Sequence, residues 1–106
     1  MAAPNKTVDS VTFTGPSWFP VTLSNGTTAA IAGVSGKQIR VYKVIFTAAA
    51  SVNITFKDGT TAFSGAMPFT GLAFDLLNSP MICSSGNAFN ITCTGAAAGM
   101  IFAQVS

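Results

Sequence analysis

The chain has 106 residues, enough for one domain with a single hydrophobic core. Only 8% of its residues are charged, against about 25% in a typical soluble domain, and it has no histidine and only three acidic side chains, Asp9, Asp58 and Asp75. Because most enzymes move protons with closely spaced His, Asp or Glu side chains, we expect no enzymatic activity, no cofactor and no metal site.

The N-terminal part, residues 1–20, is predicted to be an irregular arm because three prolines and a glycine interrupt strand pairing there. A short strand at residues 11–13 is compatible with its sequence. Trp18 and Phe19 lie between two of these prolines, in a segment that can build little core of its own. They are either anchors for a partner or a lid that folds back on the domain, and the sequence leaves both interpretations open.

From residue 21 onward the pattern is typical of short antiparallel strands separated by Gly and Asn turns. Strands are predicted at residues 21–23, 28–31, 38–46, 52–56, 61–64, 72–77, 81–83, 89–93 and 100–105. Alternation predicts that residues 52, 54, 56, 89, 91 and 93 point inward and that Asn53 and Thr55 point outward, and the pair Asp58-Gly59 is typical of a hairpin turn. No segment shows helical periodicity. The sequence therefore predicts an all-β protein, with a single antiparallel β-sandwich or jelly-roll-like domain at residues 21–106 following the arm.

The strand at residues 38–46 is the strongest in the chain. Simple alternation divides its side chains between two faces, with Ile39 and Val41 on one and Arg40, Tyr42, Val44 and Phe46 on the other. Because both faces carry large apolar groups, we expect this strand to be central, with one face in the core and the other partly covered.

Two cysteines, Cys83 and Cys93, are too far apart in sequence for a Cys-x-x-Cys motif, and no histidine could complete a metal site with them. They could form a disulfide between neighbouring strands. The alternative is a pair of reduced, buried side chains, which we favour for a chain made in a cytoplasm.

The low charge has three possible explanations: a membrane protein, an aggregating fragment, or a subunit covered by partners. No apolar run approaches the roughly 20 residues of a spanning helix, and the N-terminus lacks the apolar core of a signal peptide. We therefore expect burial against partner proteins. Four basic residues fall within residues 37–57, but a net charge of +2 is small, and we interpret them as solubilising charge rather than a nucleic-acid site.

Several segments in the part from Thr27 to Ser106 follow a familiar order. They are GKQIRVY at residues 36–42, VNITFKDGT at 52–60, GAMP at 65–68, GNAFNI at 86–91, and a last strand after a Gly-Ala run. In this order the chain resembles the small β-sandwich structural proteins of tailed bacteriophages, which include capsid decoration (cement) proteins and tail or fibre modules. The resemblance implies a jelly-roll-like subunit, often trimeric, that sits on the capsid exterior, bridges coat subunits and is assembled in the host cytoplasm.

We therefore predict a virion structural protein, a capsid decoration subunit that binds and stabilises the coat-protein lattice, with no membrane or nucleic-acid partner. Candidate contact residues, chosen for size and apparent exposure, are Trp18, Phe19, Tyr42, Phe69 and Arg40. The alternative is a tail, fibre or baseplate module that recognises a host surface. Its site would use the polar turns at residues 78–79 or 84–87.

Overall fold

The computed structural model describes residues 15–106, which form eight antiparallel strands and no helix. The strands are β1 (Ser17–Leu23), β2 (Gly26–Ile31), β3 (Ile39–Asp58), β4 (Thr61–Ala62), β5 (Met67–Asp75), β6 (Met81–Ile82), β7 (Phe89–Cys93) and β8 (Ala97–Val105). The all-β antiparallel prediction is thus confirmed. The short strand predicted at residues 11–13 lies outside the described residues.

One long strand, β3, organises the sheet. Along one edge it pairs with β8 and then with β7, and along the other with β6, β5 and β4 in turn. β1 pairs with β8 and β2 with β7, which gives the order β1-β8-β3-β7-β2. The predicted central position of this strand is confirmed, although it is one continuous strand where the sequence predicted two.

The sheet curls into two facing halves because β3 bends. Its pairing with β5 breaks between Thr47 and Val52, where the chain consists of small residues. Phe46 and Phe56 are ten positions apart and would be about 33 Å apart along a straight strand, yet their ring centroids are separated by 6.5 Å. The first half, with β8 and β1, therefore packs against the second half, with β7 and β2, as in a β-sandwich.

The space between the halves is filled by one hydrophobic cluster. Its members come from β1, β2, β3, β5, β7 and β8, together with Cys83 from the loop after β6, and no polar side chain in the described part of the chain is buried with them. The largest fully buried members are Phe46, Phe56 and Phe89, and burying each contributes roughly 1.5–3 kcal/mol relative to exposure. Both cysteines are buried and unbonded, which corresponds to the reduced alternative.

A β-bulge at Tyr42 changes which side chains of β3 point into the core. Val41 pairs with Ala103 and Lys43 with Phe102, so Tyr42 is an extra residue without its own partner on β8. Alternation is offset by one position beyond the bulge, and Val44 and Phe46 are consequently buried on the same side as Ile39 and Val41. The prediction that Val44 and Phe46 lie on the opposite face was wrong.

The start of the sheet differs from the predicted end of the arm. Because β1 begins at Ser17, the last four residues assigned to the irregular arm belong to a strand. Pro20 is compatible with this position because β1 is an edge strand, the one place within a sheet where proline is commonly tolerated. Residues 67–69, expected to form a loop, are also part of a strand, β5.

Candidate functional site

The outward side of the first half of the sandwich carries large apolar side chains. β1, β8 and the beginning of β3 lie side by side, and their outward-pointing residues form one continuous surface. We call this surface the apolar face, and its members are Trp18, Pro20, Tyr42, Ile45, Met100 and Phe102.

The strand register places these side chains in two rows. Trp18 lies beside Phe102 and Pro20 beside Met100, and Met100 in turn lies beside Ile45. The ring centroids of Trp18 and Phe102 are 5.0 Å apart, within the range of a favourable aromatic pair. Trp18 and Met100 each keep 43% of their surface exposed, so this side of the sheet presents apolar atoms to solvent.

The bulge described above adds one aromatic ring to the apolar face. It points both Tyr42 and Lys43 outward, and the Tyr42 ring lies 6.3 Å from that of Phe102. The Tyr42 hydroxyl donates a hydrogen bond to Oε1 of Gln104 at 3.5 Å. Three rings thus adjoin one another across the three strands.

Charged groups border the apolar face. Nζ of Lys43 is 3.8 Å from Oδ2 of Asp75, and both side chains are substantially exposed. Nη1 of Arg40 donates a hydrogen bond to the Ser106 hydroxyl at 2.6 Å. An apolar centre with a polar rim is the common composition of protein-binding surfaces.

Of the five residues predicted as contacts, three lie on or beside the apolar face. They are Trp18, Tyr42 and Arg40. Phe19 points the other way and packs against the core, and Phe69 is buried with 7% of its surface exposed. Phe69 is thus a core residue, and Phe19 packs against the core from the strand β1 rather than from an irregular arm.

Four residues of the apolar face were not singled out as contacts from the sequence: Pro20, Ile45, Met100 and Phe102. Met100 and Phe102 alternate with the buried residues Ile101 and Ala103, so the two-residue period of the last strand could have predicted that both point outward. Ile45 could not be identified in this way because it follows the bulge.

The outward side of the second half is chemically different. β2, β7 and the end of β3 present mostly threonine and asparagine there, and we call this surface the polar face. Its members are Thr27, Ala29, Asn53, Thr55, Lys57, Asn90 and Thr92. The hydroxyls of Thr27 and Thr92 are 2.8 Å apart across neighbouring strands. Because Lys57 lies here and Arg40 and Lys43 lie on the first half, the basic residues are divided between the two halves.

The turn at residues 84–87, a candidate recognition loop, is tied to the turn between β3 and β4. The Asp58 carboxylate accepts hydrogen bonds from the backbone N–H and the hydroxyl of Ser84 and from Nδ2 of Asn87, at 2.9–3.1 Å. Burial acts to raise the pKa of Asp58, but the bonds from Asn87 and Ser84 outweigh it and hold the pKa below its usual value. These polar groups are thus engaged within the fold.

An open pocket lies between the two halves, on the side of β4 and β6. Its volume is about 430 Å³, and its walls are mainly Phe56, Phe63, Met67, Phe74 and Met81. No charged residue lines it. Its apolar lining is continuous with the core, and nothing in its composition indicates a particular ligand.

Among residues 15–106, no group of three or more His, Cys, Asp or Glu side chains is arranged to hold a metal ion. Burial, with a smaller contribution from the charge of Asp58, raises the pKa of Cys83 to about 11. This thiol is therefore protonated at neutral pH, when it would be a weak nucleophile. No helix within these residues is long and apolar enough to cross a membrane.

Comparison of the chain with protein-family models, with curated proteins and with solved structures gives no match.

Proposed function

We propose that the protein is a structural subunit of a bacteriophage virion, a capsid decoration protein that binds the coat-protein lattice through its apolar face. The observation that carries this proposal is the pairing of an outward apolar surface, which includes Trp18 and Phe102, with a polar surface on the opposite half. A subunit with one side against a partner and the other toward solvent needs this division.

The low charge supports the same proposal. With 8% charged residues, the isolated subunit has few groups that keep it dissolved, and covering the apolar face removes the exposed side chains of Trp18, Ile45 and Met100 from water. The resemblance to tailed-phage structural proteins supplies the partner, the coat protein, and the location, the capsid exterior. It also supplies the expectation of a homo-oligomer, often a trimer.

The binding energy is expected to come from the surface buried in each contact and from the repetition of that contact across the lattice. A standard protein interface buries about 1,600 Å² in total, and its energy is concentrated in a few aromatic or Arg residues near the centre. Trp18 lies on the edge strand β1, but it is large, faces outward and contacts the ring of Phe102 on β8, so we expect it to be such an anchor. If several subunits act together on a lattice, avidity strengthens attachment beyond one contact.

The test is cosedimentation with capsid particles assembled from the coat protein of the phage that encodes the chain. Trp18→Ala removes a large outward-facing aromatic side chain, and a loss of about 2 kcal/mol would weaken attachment by roughly 30-fold. Phe63→Ala is the matched control, because Phe63 is also a partly exposed aromatic but lies at the pocket, away from the apolar face. The control is expected to bind like the unmodified protein.

Circular dichroism and thermal melting of both variants separate attachment from folding. If the Trp18→Ala variant is unfolded as well as detached, its loss of attachment is no evidence for a contact role of Trp18. If the unmodified protein does not bind capsids, the proposal is overturned. Copy number per virion distinguishes the tail, fibre or baseplate alternative, since hundreds of copies indicate the capsid and a handful indicate the tail.

A further inference from the structure

Asn25 is the only asparagine in the chain that is followed by glycine. It lies in the connection between β1 and β2, and Gly26 is the first residue of β2. Both residues are exposed, and apart from the adjoining residues no atom of the described chain lies within 4 Å of the position where a side chain would begin on Gly26. From this open Asn-Gly turn we infer that Asn25 is a site of spontaneous deamidation, a covalent modification independent of the proposed attachment.

The chemistry needs only these two residues and water. The backbone nitrogen of Gly26 attacks Cγ of Asn25, the new N–Cγ bond closes a five-membered succinimide, and the Cγ–Nδ2 bond breaks to release ammonia. Water then opens the ring at either carbonyl, which leaves aspartate or isoaspartate at position 25. One water is consumed and one ammonia released, with no oxidation or reduction. Glycine favours the attack because it has no Cβ to obstruct the approach.

The other asparagines of the described chain are less suited to this reaction. Asn78 is exposed and followed by the small residue Ser79, but the backbone N–H of Ser79 donates a hydrogen bond to the Leu76 carbonyl at 3.0 Å, so the nitrogen that would attack is engaged. Asn53 and Asn90 are each followed by isoleucine, whose branched side chain hinders the backbone nitrogen. Nδ2 of Asn87 donates to Asp58 at 2.9 Å, and Nδ2 of Asn90 donates to the Gly59 carbonyl at 2.8 Å. The side chain of Asn25, by contrast, makes no hydrogen bond with any residue of the range 15–106.

The modification changes both charge and backbone at the joint between the two halves. The formal net charge of +2 falls by one unit, a large relative change for this chain. Isoaspartate adds one carbon to the main chain immediately before β2, whereas Leu23, at the end of β1, is fixed in the core. We therefore expect the longer main chain to distort β2, an edge strand that pairs with β7 alone, rather than β1.

The test uses the full-length protein incubated under mildly alkaline conditions and then digested with trypsin. Cleavage after Lys and Arg gives residues 7–37, with Asn25 as the only asparagine, and residues 44–57, with Asn53 as the only asparagine. The mass of the 7–37 peptide is expected to rise by the difference between water and ammonia, severalfold faster than that of the 44–57 peptide. The same change should be slower at mildly acidic pH, because the attacking nitrogen must lose its proton.

Two variants make the assignment specific. Asn25→Gln should abolish the change in the 7–37 peptide, because the longer side chain closes a six-membered ring much more slowly, whereas Asn53→Gln should leave the rate unaltered. The inference is overturned if Asn25 is deamidated in urea but not in the folded protein, since the native turn would then block the attack. Equal rates in both peptides would overturn it as well.

Discussion

At the scale of single residues, the Asp58 carboxylate is the most highly coordinated polar group described. It joins the β3–β4 turn to the turn at residues 84–87 through bonds from Ser84 and Asn87. Sequence alone indicated that Asp58 belongs to an Asp-Gly turn, but not that it accepts bonds from a segment 26 residues away. Such a partner depends on how the strands pair, and local sequence does not contain that information.

Asp58→Asn is expected to lower the free energy of unfolding by about 1–3 kcal/mol at neutral pH, because hydrogen bonds to a charged acceptor are lost. Since the folded protein depresses the pKa of Asp58, the stability that this group contributes is present above its unfolded pKa of about 3.9 and is lost as pH falls through the folded value. The difference between the two proteins should thus shrink in acid. Urea unfolding over a pH series measures it.

Asp75→Asn is the matched control for this prediction. It removes an exposed ion pair with Lys43 and is expected to cost less than about 1 kcal/mol. Equal destabilisation by the two substitutions at neutral pH, or a difference that does not shrink in acid, would contradict the role given to Asp58.

Gly99 allows the close approach of β8 to β3. A Cβ at this position would collide with the carbonyl oxygen of Ile45 on the neighbouring strand, and backbone atoms cannot give way as a flexible side chain would. Gly99→Ala is therefore expected to destabilise the fold by about 1–3 kcal/mol. Gly71→Ala, in the strand β5, meets no atom within 4 Å and should change stability by less than about 0.5 kcal/mol. Thermal melting of the pair measures the contrast, and similar melting temperatures would refute it.

At the scale of strands, the alternation of apolar and polar residues predicted the buried side of most strands and failed at one residue, Tyr42. The pattern of β7, with Phe89, Ile91 and Cys93 buried, is as expected, and so is the second half of β3. The first half of β3 was misassigned beyond Tyr42 because a bulge leaves no mark in local composition. Its position is set by the pairing with β8, which only the folded chain defines.

Deletion of Tyr42 tests this account of β3. Without the extra residue, Val41, Val44 and Phe46 still alternate onto the buried side, so the variant is expected to fold. It should lose about 1–3 kcal/mol, because the Leu76 N–H no longer has the Tyr42 carbonyl as its acceptor and one aromatic contact disappears. Deletion of Ile45 instead turns Phe46 outward and should prevent folding, since losing a buried Phe costs about 3–5 kcal/mol. Circular dichroism and melting distinguish the two, and identical behaviour would contradict the bulge.

At the scale of the whole molecule, the two outer surfaces differ although the same strand, β3, contributes to both. Its first half places Tyr42 and Ile45 on the apolar face, and its second half places Thr55 and Lys57 on the polar face. The sequence indicated outward polar residues in the second half. It could not indicate which apolar residues of the first half would be outside, because both sides of that segment are apolar.

The salt dependence of capsid attachment tests whether the apolar face carries the contact. Apolar burial is not weakened by salt, whereas exposed charge pairs are screened within about 3 Å at 1 M ionic strength. We expect attachment measured by cosedimentation to persist, or to strengthen slightly, between low salt and about 1 M. A contact made instead by basic residues on a nucleic acid, four phosphates for example, would give a log–log slope of about −3.6. A steep loss of attachment with salt would therefore indicate that the basic residues, and not Trp18 and its neighbours, make the contact. In that case Arg40→Gln, rather than Trp18→Ala, should weaken attachment.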